Sequence, residues 1–159
     1  MFDFGQRSKE RLGLCHPDLM VIHYQAIQVS PIDYGIAETR RTQDRARMLF
    51  EEGRSQLDPS KGQFSKHLGR TLDYEIDPDG VAFASDIYIW HKDATIRRQL
   101  NNHMPTFAMV AGVILSVANR LYEDGSIQHR VRWGGNWDGD QQILIDQGFD
   151  DGPHFELVF

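Results

Sequence analysis

The spacing of apolar residues along the chain predicts three helices. In the segment Pro17–Val29, apolar side chains recur every three or four residues, and Pro17 suits the first position of a helix. Residues 42–52 predict a second, more polar helix that ends at Gly53. Residues 106–121 are apolar on nearly all sides, which is typical of a buried central helix.

Short apolar or alternating runs between these helices predict strands at residues 35–37, 71–76, 129–133 and 155–159. The second run ends at a Pro- and Gly-containing turn, residues 77–80, and residues 53–63 predict a surface loop. Helices and strands mix without a regular alternation. We therefore expect an α+β fold with a small antiparallel sheet packed against helices, in one domain that spans residues 1–159.

The composition narrows the possible partners. The formal net charge of −6 argues against nucleic acid, because phosphate binding normally requires clustered Lys and Arg. Cys15 is the only cysteine, which excludes an internal disulfide and predicts a small buried thiol. The N-terminus lacks the pattern of a secretory signal, and the apolar run at residues 105–118 is shorter than the roughly 20 residues of a membrane span. We therefore expect synthesis in a cytoplasm and no stable membrane insertion.

Two polar clusters carry the strongest chemical signal. The first includes His67 and Asp73, and the second, near the C-terminus, includes Asp151 and His154. Hydrolytic zinc sites commonly use three His and carboxylate ligands and leave a fourth position for water, and His67, Asp73 and His154 would supply such a set. Asp151 would then stand beside the metal and accept a proton from the water. A histidine on a strand is more often structural, so spacing alone leaves both interpretations open.

The motifs themselves resemble the zinc peptidase family of VanY-type D-alanyl-D-alanine carboxypeptidases and phage L-alanyl-D-glutamate endopeptidases. That family carries Ser-x-His, then Gly, a small residue and Asp, and later an acidic residue three before a second His. The corresponding residues here are Ser65, His67, Gly69, Asp73, Asp151 and His154. Other segments resemble the phage branch, namely residues 7–12, 16–19, 30–35, 38, 41–43, 132–137 and 153–157. The resemblance is weakest at residues 77–102.

One departure from the family pattern concerns Asp73. The family usually places six residues between the first His and the Asp, whereas five separate His67 from Asp73, and Thr71 stands where Ala is usual. On a strand, a one-residue change turns a side chain to the opposite face unless a bulge absorbs it. Asp73 is therefore the ligand that the resemblance supports least, and Asp77 is a distant alternative.

The resemblance also implies a Hedgehog/DD-peptidase-like fold and roles for several other residues. Arg41 resembles the family arginine that faces the substrate, and a helix-surface ion pair with Glu38 is its structural alternative. Ser65 would hydrogen-bond the substrate or cap a turn. Trp133 and Trp137 flank two glycines, and they either line the cleft or pack in the core.

The function that the resemblance implies is that of a phage endolysin, with zinc as its cofactor, which hydrolyses the L-alanyl-D-glutamate bond of peptidoglycan stem peptides. We expect a monomer that is made in the host cytoplasm and reaches the cell wall through a holin. A D-alanyl-D-alanine carboxypeptidase or dipeptidase is the second interpretation, and it would need a further cation beside Arg41. A wall-binding protein that keeps zinc without catalysis is the third, because of the short spacing between His67 and Asp73.

Overall fold

The computed structural model describes residues 1–140, 142–145 and 147–159, and within these ranges the chain forms five α-helices and four β-strands. A short 3-10 helix, Pro59–Lys61, lies in the predicted surface loop. The helices are α1 (Gln6–Leu12), α2 (Pro17–Val29), α3 (Gln43–Glu51), α4 (Ala94–Leu100) and α5 (Met104–Glu123). The strands are β1 (Tyr34–Glu38), β2 (Ala84–Ile89), β3 (Arg130–Gly134) and β4 (Asp151–Val158). The predicted α+β class is confirmed.

The four strands form one antiparallel sheet in the order β1-β2-β4-β3. Its register places Asp86 of β2 between Glu38 of β1 and His154 of β4. Two residues further along β4, Glu156 lies opposite Arg132 of β3. Because side chains alternate between the faces of a strand, one face of the sheet carries a row of ionisable groups.

The other face of the sheet packs against the helices α2 and α5. Phe155 and Leu157 of β4 alternate with the ionisable residues and belong to the buried core. Eight residues of α5 are buried, including Val110 and Ile114. At 20 residues, α5 is longer than predicted, and by length and composition alone it could cross a membrane. Its buried face is that of a helix packed in a protein core.

Residues 71–76 form a turn, so the strand predicted there is wrong. The N–H of Tyr74 donates to the carbonyl of Thr71, and Tyr74 adopts a left-handed backbone with a φ of 70°. The apolar side chains that suggested alternation, Leu72, Tyr74 and Ile76, are exposed. The apolar pattern did not predict β2, which is one of the two inner strands of the sheet.

Candidate active site

Three side chains from separate parts of the chain meet on the ionisable face of the sheet. His67 comes from the loop before β2, Asp86 from β2 and His154 from β4. His67 Nε2 lies 3.1 Å from Asp86 Oδ1 and 3.2 Å from His154 Nδ1, and His154 Nδ1 lies 3.1 Å from the same Asp86 oxygen. Both histidines are buried, and the Asp86 side chain is 22% exposed, so this cluster is open to solvent on one side.

The hydrogen bonds around this cluster determine where its lone pairs point. His67 Nδ1 lies 2.7 Å from the carbonyl oxygen of Thr39, which only accepts, so Nδ1 carries the hydrogen and Nε2 offers a lone pair. His154 Nε2 donates in the same way to Glu156 Oε2 at 3.1 Å, which leaves Nδ1 as the free acceptor. Ligand atoms about 2.0–2.1 Å from a tetrahedral zinc ion are separated by about 3.3 Å. Together with the Asp86 carboxylate, these donors therefore fit a zinc ion in both chemistry and spacing.

The electrostatics of the cluster also favour a positive charge at its centre. Burial lowers the pKa of His154, but hydrogen bonds with Asp86 and Glu156 raise it by more, to about 9. Burial raises the pKa of Asp86, yet the charges and hydrogen bonds of His67 and His154 bring it far below its usual range. Both pKa shifts arise because several hydrogen-bond acceptors converge on one point. A proton or a metal cation at that point would be stabilised by them.

The structure does not bring Asp73 to the two histidines. Asp73 is exposed in the turn at residues 71–76. Asp86 lies 19 residues after His67 in the sequence and contacts it from β2. Asp77, the alternative, accepts a hydrogen bond from a backbone N–H two residues further on. One sequence feature does mark Asp86. Ala84, two positions before it, is a small residue like the one that precedes the Asp in the family motif, but it lies in the segment where the family resemblance is weakest.

A bulge in β4 positions Asp151 relative to His154. The pairing of β3 with β4 passes directly from Trp133 opposite Phe155 to Gly134 opposite Asp151. On a regular strand, residues three apart point to opposite faces, and the bulge removes this constraint. A Cβ atom on Gly134 would lie 2.3 Å from the Asp151 carbonyl oxygen, so glycine is required for this close approach.

The pKa of Asp151 shows that its carboxyl group belongs to the same electrostatic environment. Burial raises this pKa, and the negative charge of Asp86 raises it further. The positive charges of His154, His67 and Arg41 act in the opposite direction. Asp151 is therefore a partly buried carboxyl group with a raised pKa, close enough to Asp86, His67 and His154 for their charges to shift that pKa, and these are properties of a general base.

Arg41 and Ser65 both hold the backbone of His67. The N–H of Arg41 donates to the His67 carbonyl at 2.7 Å, and Ser65 Oγ accepts from the His67 N–H at 3.3 Å. Arg41 Nη2 donates to Glu38 at 2.5 Å, so the predicted ion pair with Glu38 is present. The same nitrogen lies 3.9 Å from Asp86 Oδ2, so this ion pair lies on the same face of the sheet as the candidate ligands. Arg41 Nε is buried and has no hydrogen-bond partner among the described residues.

The two tryptophans occupy different environments. The Trp137 ring lies 5.4 Å from the His154 ring and is half-buried, so it lies beside one of the candidate ligands. Trp133 is 2% exposed, and its Nε1 donates to the carbonyl of Gly152. Its ring also occupies the space where Gly135 would carry a Cβ. Trp133 is thus a core residue, and the glycine serves its packing rather than the approach of a ligand.

A second group with metal-ligand chemistry, His16, Asp18 and His129, differs from the first in its hydrogen bonds. Asp18 Oδ2 accepts from the N–H groups of Gln128 and His129 and from His129 Nδ1. His129 Nε2 contacts the Tyr74 hydroxyl at 2.8 Å, and His16 Nδ1 accepts from the Asp18 N–H. Asp18 Oδ2, His129 Nε2 and His16 Nδ1 are therefore already engaged in hydrogen bonds, and the group links the start of α2 to the residues just before β3 and to the turn at residues 71–76.

Comparison with known proteins gives consistent results. Residues 1–158 match the family described as phage L-alanyl-D-glutamate peptidase. The L-alanyl-D-glutamate peptidase of Escherichia phage T5 is 27% identical over 161 residues, which cover 99% of this chain and 98% of that protein. The crystal structure of the Serratia marcescens L-Ala D-Glu endopeptidase ChiX matches with a TM-score of 0.64 and 23% identity, over 99% of this chain and 91% of that chain, and so shares the fold.

These comparisons confirm the predicted family, the fold class and the assignment as an enzyme. The match extends from the first helix to the last strand and includes His67, Asp151 and His154. The chain belongs to the phage L-alanyl-D-glutamate peptidase family.

Proposed function

We propose that the protein is a zinc-dependent endopeptidase that hydrolyses the L-alanyl-D-glutamate bond of peptidoglycan stem peptides, with His67, Asp86 and His154 as the zinc ligands. The main observation in support of this proposal is the convergence of three lone-pair donors, on His67, Asp86 and His154, within 3.2 Å of one another. This arrangement occurs in a chain whose family is named for cleavage of that bond. Asp86 here takes the place that the sequence assigned to Asp73.

The residues around the ligands would have different roles in catalysis. A zinc ion held there would polarise the scissile carbonyl and lower the pKa of bound water to about 7. Asp151 would accept a proton from the attacking water and deliver it to the leaving amine, which its raised pKa favours. Arg41, whose Nη2 lies 3.9 Å from Asp86 Oδ2, would bind negative charge on the substrate through its guanidinium group, and Trp137 would contact the peptide beside His154.

Charge pairing on this face supports an endopeptidase over a carboxypeptidase. An enzyme that removes terminal D-alanine must bind a free C-terminal carboxylate, which here would need a further cation beside Arg41. In the described part of the chain, the cations Lys66 and Arg132 both pair with Glu156 instead. The interpretation as a non-catalytic wall-binding protein depended on the short spacing of Asp73, and Asp86 removes that reason.

We also propose that the protein acts as a monomeric endolysin in host lysis. It would accumulate in the host cytoplasm and reach the peptidoglycan through a holin. The family match to phage peptidases supports the lytic role.

Digestion of purified bacterial sacculi tests the proposed activity. The protein is incubated with sacculi with and without a chelator, and the released fragments are identified by mass spectrometry. We expect cleavage between L-alanine and D-glutamate, its loss on chelation and its recovery with zinc. Release of terminal D-alanine alone would assign a carboxypeptidase, and an absence of products from folded, zinc-loaded protein would contradict catalysis on this substrate.

A further inference from the structure

A buried carboxylate and two cations lie at the Nε2 edge of the His154 ring, on the side away from Asp86. Glu156 has a side chain that is 9% exposed, and its Oε2 accepts from His154 Nε2 at 3.1 Å. Its Oε1 accepts from Arg132 Nε at 3.1 Å and from Arg132 Nη2 at 2.5 Å. Lys66 Nζ lies 3.7 Å from the same oxygen. Both carboxylate oxygens of Glu156 are thus engaged, and neither is directed at the ligand cluster.

We propose that Glu156 is a positioning residue for the metal centre, which holds the His154 ring so that Nδ1 faces the metal, and that Arg132 holds Glu156. This inference rests on the proposed zinc site. Glu156 acts only through His154, since its contact is with Nε2, the ring nitrogen that does not face Asp86. Carboxylates in this position fix the tautomer of a histidine ligand and increase its basicity.

Arg132 also connects this carboxylate to Trp137. Its Nη1 donates to the Trp137 carbonyl at 3.2 Å, and its guanidinium lies 5.5 Å from the centre of the Trp137 ring. The same ring lies 5.4 Å from the ring of His154. The His154 ring therefore contacts Glu156 through Nε2 and packs beside the tilted ring of Trp137, and Arg132 contacts both Glu156 and Trp137. A change at Arg132 should disturb the orientation of His154 without touching any ligand.

Zinc affinity of single variants tests this role directly. The zinc dissociation constant is measured at fixed pH by competition with a chromophoric chelator, and the visible spectrum of the cobalt-substituted protein reports the ligand geometry. We expect Glu156→Gln to weaken zinc binding by about 10–100-fold. Arg132→Gln should weaken binding in the same direction by roughly threefold to tenfold, because it leaves the Glu156 carboxylate in place. Both variants should also alter the cobalt spectrum.

Glu123→Gln is the matched control, because Glu123 pairs with Arg130 at the surface and its loss changes the charge by the same amount. It should bind zinc as the wild type does. Wild-type affinity and an unchanged cobalt spectrum in folded Glu156→Gln would overturn the inference. If that variant does not fold, the same result for Arg132→Gln, which is 37% exposed at its side chain, would overturn it.

The two proposals fail in distinguishable ways. A wild-type protein that does not bind zinc would overturn the metal site and this role together. A wild-type protein that binds zinc but does not cleave sacculi would contradict only the proposed function, because the affinities of the variants would still decide the role of Glu156.

Discussion

At the scale of single residues, the chemistry depends on which atom of each histidine is free. The carbonyl of Thr39 and the carboxylate of Glu156 each take the hydrogen of one ring nitrogen, and the two remaining lone pairs face Asp86. His67 and His154 could be predicted from sequence because each lies in a short motif. Asp86 could not, since its position depends on the pairing of β2 with β4, which residue spacing does not encode.

Replacement of Asp151 tests its role as the general base. Asp151→Asn should keep zinc bound and lower kcat by about 10²–10⁴, because the amide cannot accept the proton of the attacking water. Zinc content and the rate of release of stem peptides from sacculi measure the two effects. The neighbouring change Asp150→Asn is the control and should leave the rate close to that of the wild type. Activity within a few-fold of the wild type in Asp151→Asn would exclude this role.

At the scale of elements, the helices were easier to predict than the sheet. The helix α2 has the predicted bounds, and α3 lies within the predicted segment, with Thr42 as its N-cap. β2 was not predicted because one of its buried positions, Ser85, is polar and hydrogen-bonded to His23. The sequence of the strand therefore does not alternate regularly between apolar and polar residues. Residues 71–76 show the opposite case, in which alternating apolar side chains belong to a turn.

The bulge in β4 provides a test at this scale. A Cβ on Gly152 would lie 2.6 Å from Met104 Sδ and 3.2 Å from Phe107 Cβ, so the Met104 side chain must swing away and Phe107 must shift by a few tenths of an ångström if the bulge is to persist. We expect Gly152→Ala to destabilise the fold by about 1–3 kcal/mol and to lower activity, since Asp151 and His154 flank the bulge. Urea unfolding and the rate on sacculi measure these effects.

Gly112→Ala is the matched control for this substitution. Gly112 lies in α5 with nothing near the position of an added Cβ, so alanine there should stabilise the helix by about 0.5–1 kcal/mol. Equal stability of Gly152→Ala and the wild type would show that the close packing of α5 against the bulge does not constrain the site.

At the scale of the whole molecule, one buried histidine couples folding to pH. His23 is fully buried between Tyr34 and Ser85, and burial lowers its pKa to about 3. The unfolded chain, with a histidine pKa near 6.5, therefore binds a proton that the folded chain excludes. Above about pH 6.5, His23 is neutral in both states and does not lower the free energy of unfolding. As the pH falls from there towards 3, this free energy decreases by about 1.4 kcal/mol per pH unit.

Urea unfolding at pH 7.5, 6.0 and 5.0 in the presence of a chelator measures this dependence. His23→Gln should lose less stability on acidification than the wild type, even if its stability at pH 7.5 is lower. The exposed His103 provides the control, since His103→Gln should retain the wild-type dependence. An equal loss of stability in the wild type and His23→Gln would show that another group accounts for the acid sensitivity.

We propose that folding brings Asp86, and not Asp73, to His67 and His154 to form a zinc site. The most direct measurement is the zinc content of the wild type, Asp86→Asn and Asp73→Asn after equilibration against a zinc buffer. The two variants change the charge equally, and Asp73 is exposed, so it serves as the matched control. We predict one zinc per chain in the wild type and Asp73→Asn, and a loss of binding in Asp86→Asn. Zinc retained by Asp86→Asn and lost from Asp73→Asn would contradict the assignment of Asp86 as a zinc ligand.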